Sequence, residues 1–379
     1  MQKTWKRLLA VLLAFGLIAA ACGDDDDDTA TEGDEAATEE ATEEATEEAT
    51  EEATEEATEE ATEEPTEEAT EEPTEEATEE APATNVADGV LTIGTLAPVT
   101  GDLAFLGPPE IAAAVIAVED INAAGGVLGA DVVLDPGDSG DTTTDTANQE
   151  TDRLLAAGAD VIVGAASSAV TKTVIDKITG AGVVQFSPAN TSPDFTTYDD
   201  GGLYFRTAPS DLLQGRVLAD LVLGEGAATA SVIFRQESYG EGLANSFKEN
   251  FESAGGTIDE FLPYAVDTDT FDTEIDALAA AGSDAYVVIG FAESAAILTG
   301  MHERGIGPTS VPVYGVDGNI GGIGAELDDP TILTGMRGTT PSVDLTSISD
   351  FTARLDEQGD MGGVYDYGAE TYDAIVITA

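Results

Sequence analysis

Residues 161–195, VIVGAASSAVTKTVIDKITGAGVVQFSPANTSPDF, admit few folds. A short apolar run, 161–163, ends at Gly164, small and hydroxyl residues follow, and then Val170, Val174, Ile175 and Ile178 recur at helical spacing. That order predicts a strand, a turn and a helix. A second apolar run, 183–186, stops at Ser187-Pro188-Ala189-Asn190-Thr191, where Pro188 has no N–H to give a ladder. Two strands therefore end close together, each handing over to hydroxyls and backbone N–H groups. In an open parallel sheet ligands sit outside the carboxyl ends of the strands, and a helix N-terminus offers donors and partial positive charge. Ser168 before the helix, with Ala189 and Thr191 opposite, is thus a candidate cradle for a small anion. The other reading of the same residues is that Ser167 or Ser168 only caps its helix.

The pattern continues along the chain. From Val90 onward short apolar runs alternate with helical spacing, which predicts α/β layers with mostly parallel sheets. Strands are expected near 90–96, 130–134, 161–164, 183–186, 231–234, 285–290 and 311–315. One helix is expected over 109–124, with Pro109 early and Gly125-Gly126 at its end. Others should begin near Asp211, Tyr239, Thr270, Ser294 and Ser347, and a last one at Gly368. Roughly 290 residues exceed what one core serves. Two lobes are expected, 86–208 and 209–340, with 341–379 crossing back to the first. That last segment stops within a helix, so a truncated chain is expected.

The N-terminal 85 residues read differently. Lys3, Lys6 and Arg7 precede an apolar run over 8–20 that is short for a bilayer span, and Ala19-Ala20-Ala21-Cys22-Gly23 forms a small-residue cleavage site. With one cysteine, Cys22, no disulfide within the chain is possible. The run resembles a bacterial lipoprotein signal, residues 1–21, in which Cys22 is lipidated, with Ala19 where leucine is usual. An ordinary secretory signal is the alternative. Residues 22–85 then open on a run of five aspartates, 24–28, and continue into a Glu-Glu-Ala-Thr repeat. Its period of four stacks like charges at i and i+4, and Pro65 and Pro73 interrupt any helix. A disordered spacer is expected, reaching on the order of 200 Å at ~3.3 Å per residue.

Charge narrows the partners. Of 76 acidic and 13 basic residues, 31 and 3 precede Gly89, so the remainder is itself strongly acidic. Such a surface repels nucleic acid and anionic lipid. Lysine is scarce there, at Lys172, Lys177 and Lys248, which points to a saline habitat.

Catalytic chemistry finds no material. The sole histidine, His302, falls on a predicted helix beside Glu303 and Arg304, and one His with one Cys exclude a zinc site of the usual ligand types. Asp267, Asp269, Asp272 and Asp276 lack the glycine turn and terminal glutamate of a calcium loop. No glycine-rich loop with a following lysine is present for nucleotides. No enzyme, cofactor or metal is expected.

Several segments, in order and spacing, resemble one family. Ile93-Gly94 through Val99-Thr100-Gly101, Asp120-Ile121-Asn122 with Gly125-Gly126, Ser187 to Thr191, Phe205-Arg206-Thr207 and Tyr239-Gly240-Glu241-Gly242 are similar to the branched-chain (Leu/Ile/Val) amino-acid solute-binding proteins of ABC transporters. The resemblance implies a type I periplasmic-binding fold, two lobes joined by three crossovers that close on a solute for delivery to a membrane permease. A sensor subunit is the rival role, and amides, urea and aromatic acids are rival ligands. Carried over, the cradle for α-carboxylate and α-ammonium falls on Ser168, Ala189 and Thr191. Tyr239 matches a tyrosine that closes over the ligand, and Asp317 the acid that pairs with the ammonium. Phe291 stands where tyrosine is common. Leu106, with Phe105 adjacent, stands where the archetype has tryptophan beside the side-chain pocket. Arg235 stands at a position that is often acidic, and implies a ligand with a second acidic group.

Overall fold

The computed structural model describes residues 88–379. The expected signal segment, Cys22 and the acidic spacer lie outside them. Two five-stranded sheets, all parallel, organise the rest. The first uses β1 (Thr92–Ala97), β2 (Val133–Asp138), β3 (Val161–Gly164), β4 (Val184–Ser187) and β5 (Tyr204–Arg206) in the order β2-β1-β3-β4-β5. The second uses β6 (Thr229–Arg235), β7 (Thr257–Tyr264), β8 (Ala285–Ile289), β9 (Val313–Gly315) and β10 (Arg337–Gly338) in the order β7-β6-β8-β9-β10. These are the same topology twice. In each lobe the strand order reverses beside its first strand, so a crevice opens at the carboxyl ends of β1 and β3 and again at those of β6 and β8.

Helices α1 (Gly107–Ala123), α2 (Thr146–Ala156) and α3 (Ser168–Gly180) flank the first sheet. Helices α4 (Asp211–Gly224), α5 (Ser238–Ser253), α6 (Asp272–Ala281) and α7 (Ser294–Glu303) flank the second, followed by the short α8 (Asp317–Ile320). The chain crosses from the first lobe to the second between β5 and α4. After β10 it returns as α9 (Ser349–Gln358) and α10 (Gly368–Thr378), which pack on α1.

Local chemistry explains the boundaries. Two prolines occupy the first turn of α1, and beyond its end Gly125 (φ +112°) and Gly126 (φ +70°) hold backbone that other residues resist. Ser167 Oγ accepts from the Val170 N–H at 3.3 Å and caps α3. Glu237 caps α5 by accepting from the N–H groups of Tyr239 (2.9 Å) and Gly240 (2.8 Å). Gly240 is also where that helix meets the end of β6: a Cβ there would lie 2.1 Å from the Arg235 carbonyl oxygen. Gly240→Ala should therefore destabilise the fold by about 1 to 3 kcal/mol, read as a lower urea midpoint at unchanged slope. A midpoint that did not move would mean helix and strand can separate at no cost.

The central strands are apolar on both faces, as parallel sheets between helix layers require. Where the structure departs from expectation it does so at edges. β2 begins at Val133 rather than near 130, because residues 127–130 form a tight turn closed by a Val127–Ala130 bridge. β5, β7 and β10 were not expected as strands; β7 and β10 are edge strands of the second sheet and β5 of the first.

Candidate functional site

The two crevices face one another and the lobes meet around them. Ser192 Oγ donates to the Ser238 carbonyl (2.9 Å), Ser238 Oγ donates to Asp194 (3.0 Å), and Arg235 Nη2 donates to Asp102 (2.7 Å), each bond joining one lobe to the other. Between the lobes lies a narrow chamber. Its first-lobe wall includes Leu106, Ser168, Ala189 and Thr191, and its second-lobe wall Tyr239, Phe291, Asp317 and Gly318. Seven of the eight residues singled out from the sequence thus converge on one buried space. Phe105 does not. It packs against Gly322 of the second lobe, where a Cβ would sit 2.6 Å from its ring.

Each wall has a distinct chemistry. Because Ser167 caps α3, the adjacent Ser168 hydroxyl remains for the chamber; it accepts from the Ser192 N–H at 3.4 Å and keeps its own proton to donate. The Ala189 N–H is spent on Ser187 Oγ at 3.3 Å, so Ala189 offers its carbonyl oxygen rather than a donor. The Thr191 carbonyl accepts from the Asp211 N–H at 2.8 Å, which fixes the loop after β4 to the start of α4.

On the facing wall Asp317, 5% exposed, is the hub. Its Oδ1 accepts from Gln214 Nε2 (2.7 Å) and Tyr239 OH (2.9 Å), and its Oδ2 from Tyr367 OH (2.6 Å). Two oxygens offer about four acceptor positions, so one on Oδ2 remains for a further donor. Burial raises the Asp317 carboxyl, and the three donors oppose that rise. Asp211 is fully buried close by, and burial together with the Asp317 charge drives its carboxyl well above the usual range, opposed by the neighbouring Thr191 hydroxyl. The three donors on Asp317 favour charge there over charge on Asp211. Gly318 belongs to the same construction. Its N–H donates to Tyr239 OH (3.2 Å), and a Cβ there would crowd the Gly290 carbonyl at 2.7 Å.

Tyr367 and Gln214 escaped sequence reasoning. Tyr367 stands just before α10, and Gln214, on α4, reaches both Asp317 and the Thr339 carbonyl (3.1 Å) at the return crossing. Neither lies near a strand end in sequence, so no local pattern points to them. Phe291 stacks on Tyr239 with centroids 5.4 Å apart, and the Arg235 guanidinium lies 4.9 Å from the Phe291 centroid. Arg235 is 2% exposed and already faces Asp102 and Glu293, at 2.7 and 2.9 Å. Its charge is matched inside the protein, which removes the ground for expecting an acidic ligand group there.

Other candidates separate from this site. A larger hollow on the flank of the second lobe, lined in part by Asp269, His302, Arg304 and Asp328, is an open groove away from both crevices. Asp272 and Asp276 are bound to Arg304, each at 2.6 Å. Among the described residues no cluster of His, Cys, Asp and Glu is arranged to hold a metal ion, and no helix is long and apolar enough to cross a membrane.

Comparison with known proteins agrees with this geometry. The periplasmic binding protein family matches residues 90–378. A Leu/Ile/Val-binding protein homolog of Brucella melitensis is 32% identical over 57% of this chain and 59% of its own length. A leucine-, isoleucine-, valine-, threonine- and alanine-binding protein of Pseudomonas aeruginosa is 29% identical over 60% of this chain and 62% of its own. The match thus spans about three fifths of each of these relatives. The isoleucine complex of the branched-chain amino-acid substrate-binding protein LivJ from Streptococcus pneumoniae superposes with a TM-score of 0.64 at 24% identity, over 76% of this chain and 82% of that one. With its doubled parallel sheets and a buried chamber between facing crevices, the chain belongs to the periplasmic binding protein family.

Proposed function

We propose that this protein captures a small zwitterionic solute, an α-amino acid, between its lobes and delivers it to the membrane permease of an ABC transporter. The arrangement at Asp317 carries the reading. A zwitterion needs hydroxyl and N–H donors at its carboxylate and a negative charge with an acceptor at its ammonium. Ser168 and Thr191 supply the first, and Asp317, oriented by three donors, supplies the second, with the Ala189 carbonyl beside the cradle. Tyr239, Phe291 and Leu106 close the chamber around the solute. Ligand favours the closed form through the contacts made only when both walls meet it. The relatives named as amino-acid binding proteins support the ligand class, and the family supports a place outside the cytoplasm. Anchoring through a lipid on Cys22, with the acidic spacer holding the binding unit clear of the membrane, completes the proposal.

A thermal-shift screen tests it. An amino acid supplied at about 100 times its dissociation constant should add ~2.7 kcal/mol of stability and raise the melting point visibly. A response only to amides, urea or aromatic acids would remove the ammonium role of Asp317 while leaving solute capture in place. Silence across all of them would favour a sensor that reads some other ligand.

A further inference from the structure

The clamp chamber adjoins a second one. Leu103, Ser167 and Phe291 border both it and a smaller space beside it. The other walls of that space include Asp102, Asp141, Arg235 and Glu237. The two spaces adjoin through these three residues, so a side chain long enough to leave the first space meets the walls of the second. These walls are wrong for a branched aliphatic group, which would cover polar and charged atoms without partnering them.

Arg235 decides what would suit them. It is almost wholly buried, it spans the lobes through Asp102, and its Nε–H has no hydrogen-bond partner among the described residues. A carboxylate would answer that donor but would face Asp102, Asp141 and Glu237 with the guanidinium charge already shared with Asp102 and Glu293. An ammonium would answer the acids but face the guanidinium. A neutral group that both accepts and donates meets neither penalty.

We propose that the solute is an α-amino acid whose side chain ends in a neutral accepting and donating group, a carboxamide foremost, and that Arg235 is the residue that selects it. The proposal rests on the amino-acid clamp described above. Discrimination should be strong, because a site built to hydrogen-bond a group rejects analogues that lack it far better than an apolar pocket rejects a changed methylene.

Isothermal titration of the full chain with glutamine, glutamate and leucine tests it. Glutamine should bind at least about tenfold more tightly than either of the others, and Arg235→Met should bring glutamine and leucine to within about threefold of each other. If leucine binds as tightly as glutamine to the unaltered protein, the inference is overturned and the clamp reading stands. If glutamine leads but Arg235→Met leaves the ranking unchanged, the role of Arg235 is overturned. If no amino acid binds while another solute does, the clamp reading falls and takes this inference with it. Should Arg235→Met fail to fold, the ranking in the unaltered protein still decides.

Discussion

Asp317→Ala should weaken binding of an amino-acid solute by about 2 to 5 kcal/mol, a loss on the order of 30- to several-thousand-fold in dissociation constant. Most of that loss comes from leaving an ammonium buried without its counter-charge. The same change removes the acceptor for Gln214, Tyr239 and Tyr367, which stand around one carboxylate in the absence of any ligand. Stranding three buried donors costs stability as well, by roughly 1 to 3 kcal/mol for each that finds no water. Melting of the ligand-free variant must therefore be measured beside the titration, so that lost affinity is not confused with lost fold. Asp317→Asn goes far to separate the two effects, since it removes the charge but keeps one acceptor oxygen, losing the other to an amide donor. It should restore much of the stability of the alanine variant and little of the affinity. A binding loss well below ~1 kcal/mol in either variant would show that Asp317 organises the second lobe without meeting the solute.

The contrast between Asp317 and its partners shows how far a linear pattern reaches. Ser168, Ala189 and Thr191 lie just beyond the ends of β3 and β4, two central strands whose largely apolar runs stand out from their flanks. A parallel sheet must bury such strands on both faces, so their ends, and the crevice outside those ends, are legible directly. Asp317 follows β9 in the same way. Tyr239 opens α5, where Glu237 and Gly240 mark the helix start. Edge strands carry no such obligation. β7 begins by alternating exposed with half-buried residues and contains Pro263, and β2 beyond Leu134 runs Asp135-Pro136-Gly137-Asp138, so neither presents an apolar run over its length. α2 buries only Ala147, Thr151 and Leu154, too few to set a periodicity. Gln214 and Tyr367 join the site through the crossings between lobes, a relation of tertiary packing that spacing along the chain does not encode. Arg235 shows the opposite failure. Its type was visible, but its charge state in context depended on Asp102 and Glu293, 133 residues earlier and 58 later in the sequence.

Glu370→Gln should stabilise the ligand-free protein by roughly 3 kcal/mol at pH 8 and leave it nearly unchanged at pH 4. Glu370, in the first turn of α10, is 8% exposed, and burial, with the charges of Asp366 and Asp373 adding to it, pushes its carboxyl from the ordinary 4.5 up to about 7. On the helix it packs against, Glu110 is 2% exposed with Oε1 unpartnered, and burial drives it well above the usual range, Glu370 adding to the effect. The sign follows from which state gives up its proton first. Below about pH 4.5 folded and unfolded chains are both protonated at these positions and neither group costs anything. Between there and about pH 7 the unfolded chain ionises while the folded one resists, so the native state loses stability as pH rises, by ~1.4 kcal/mol for each unit separating the two values. Glutamine fills the same space with no charge to suppress, so the decline should shrink in the variant. Equal melting points at pH 8 would mean that Glu370 ionises freely. The position matters for binding too: the Glu370 carbonyl accepts from Thr207 Oγ1 at 3.0 Å across the first crossing, and Tyr367, which orients Asp317, stands three residues before it. Glu370 thus sits in the first turn of the helix capped by Tyr367, whose hydroxyl donates to Asp317.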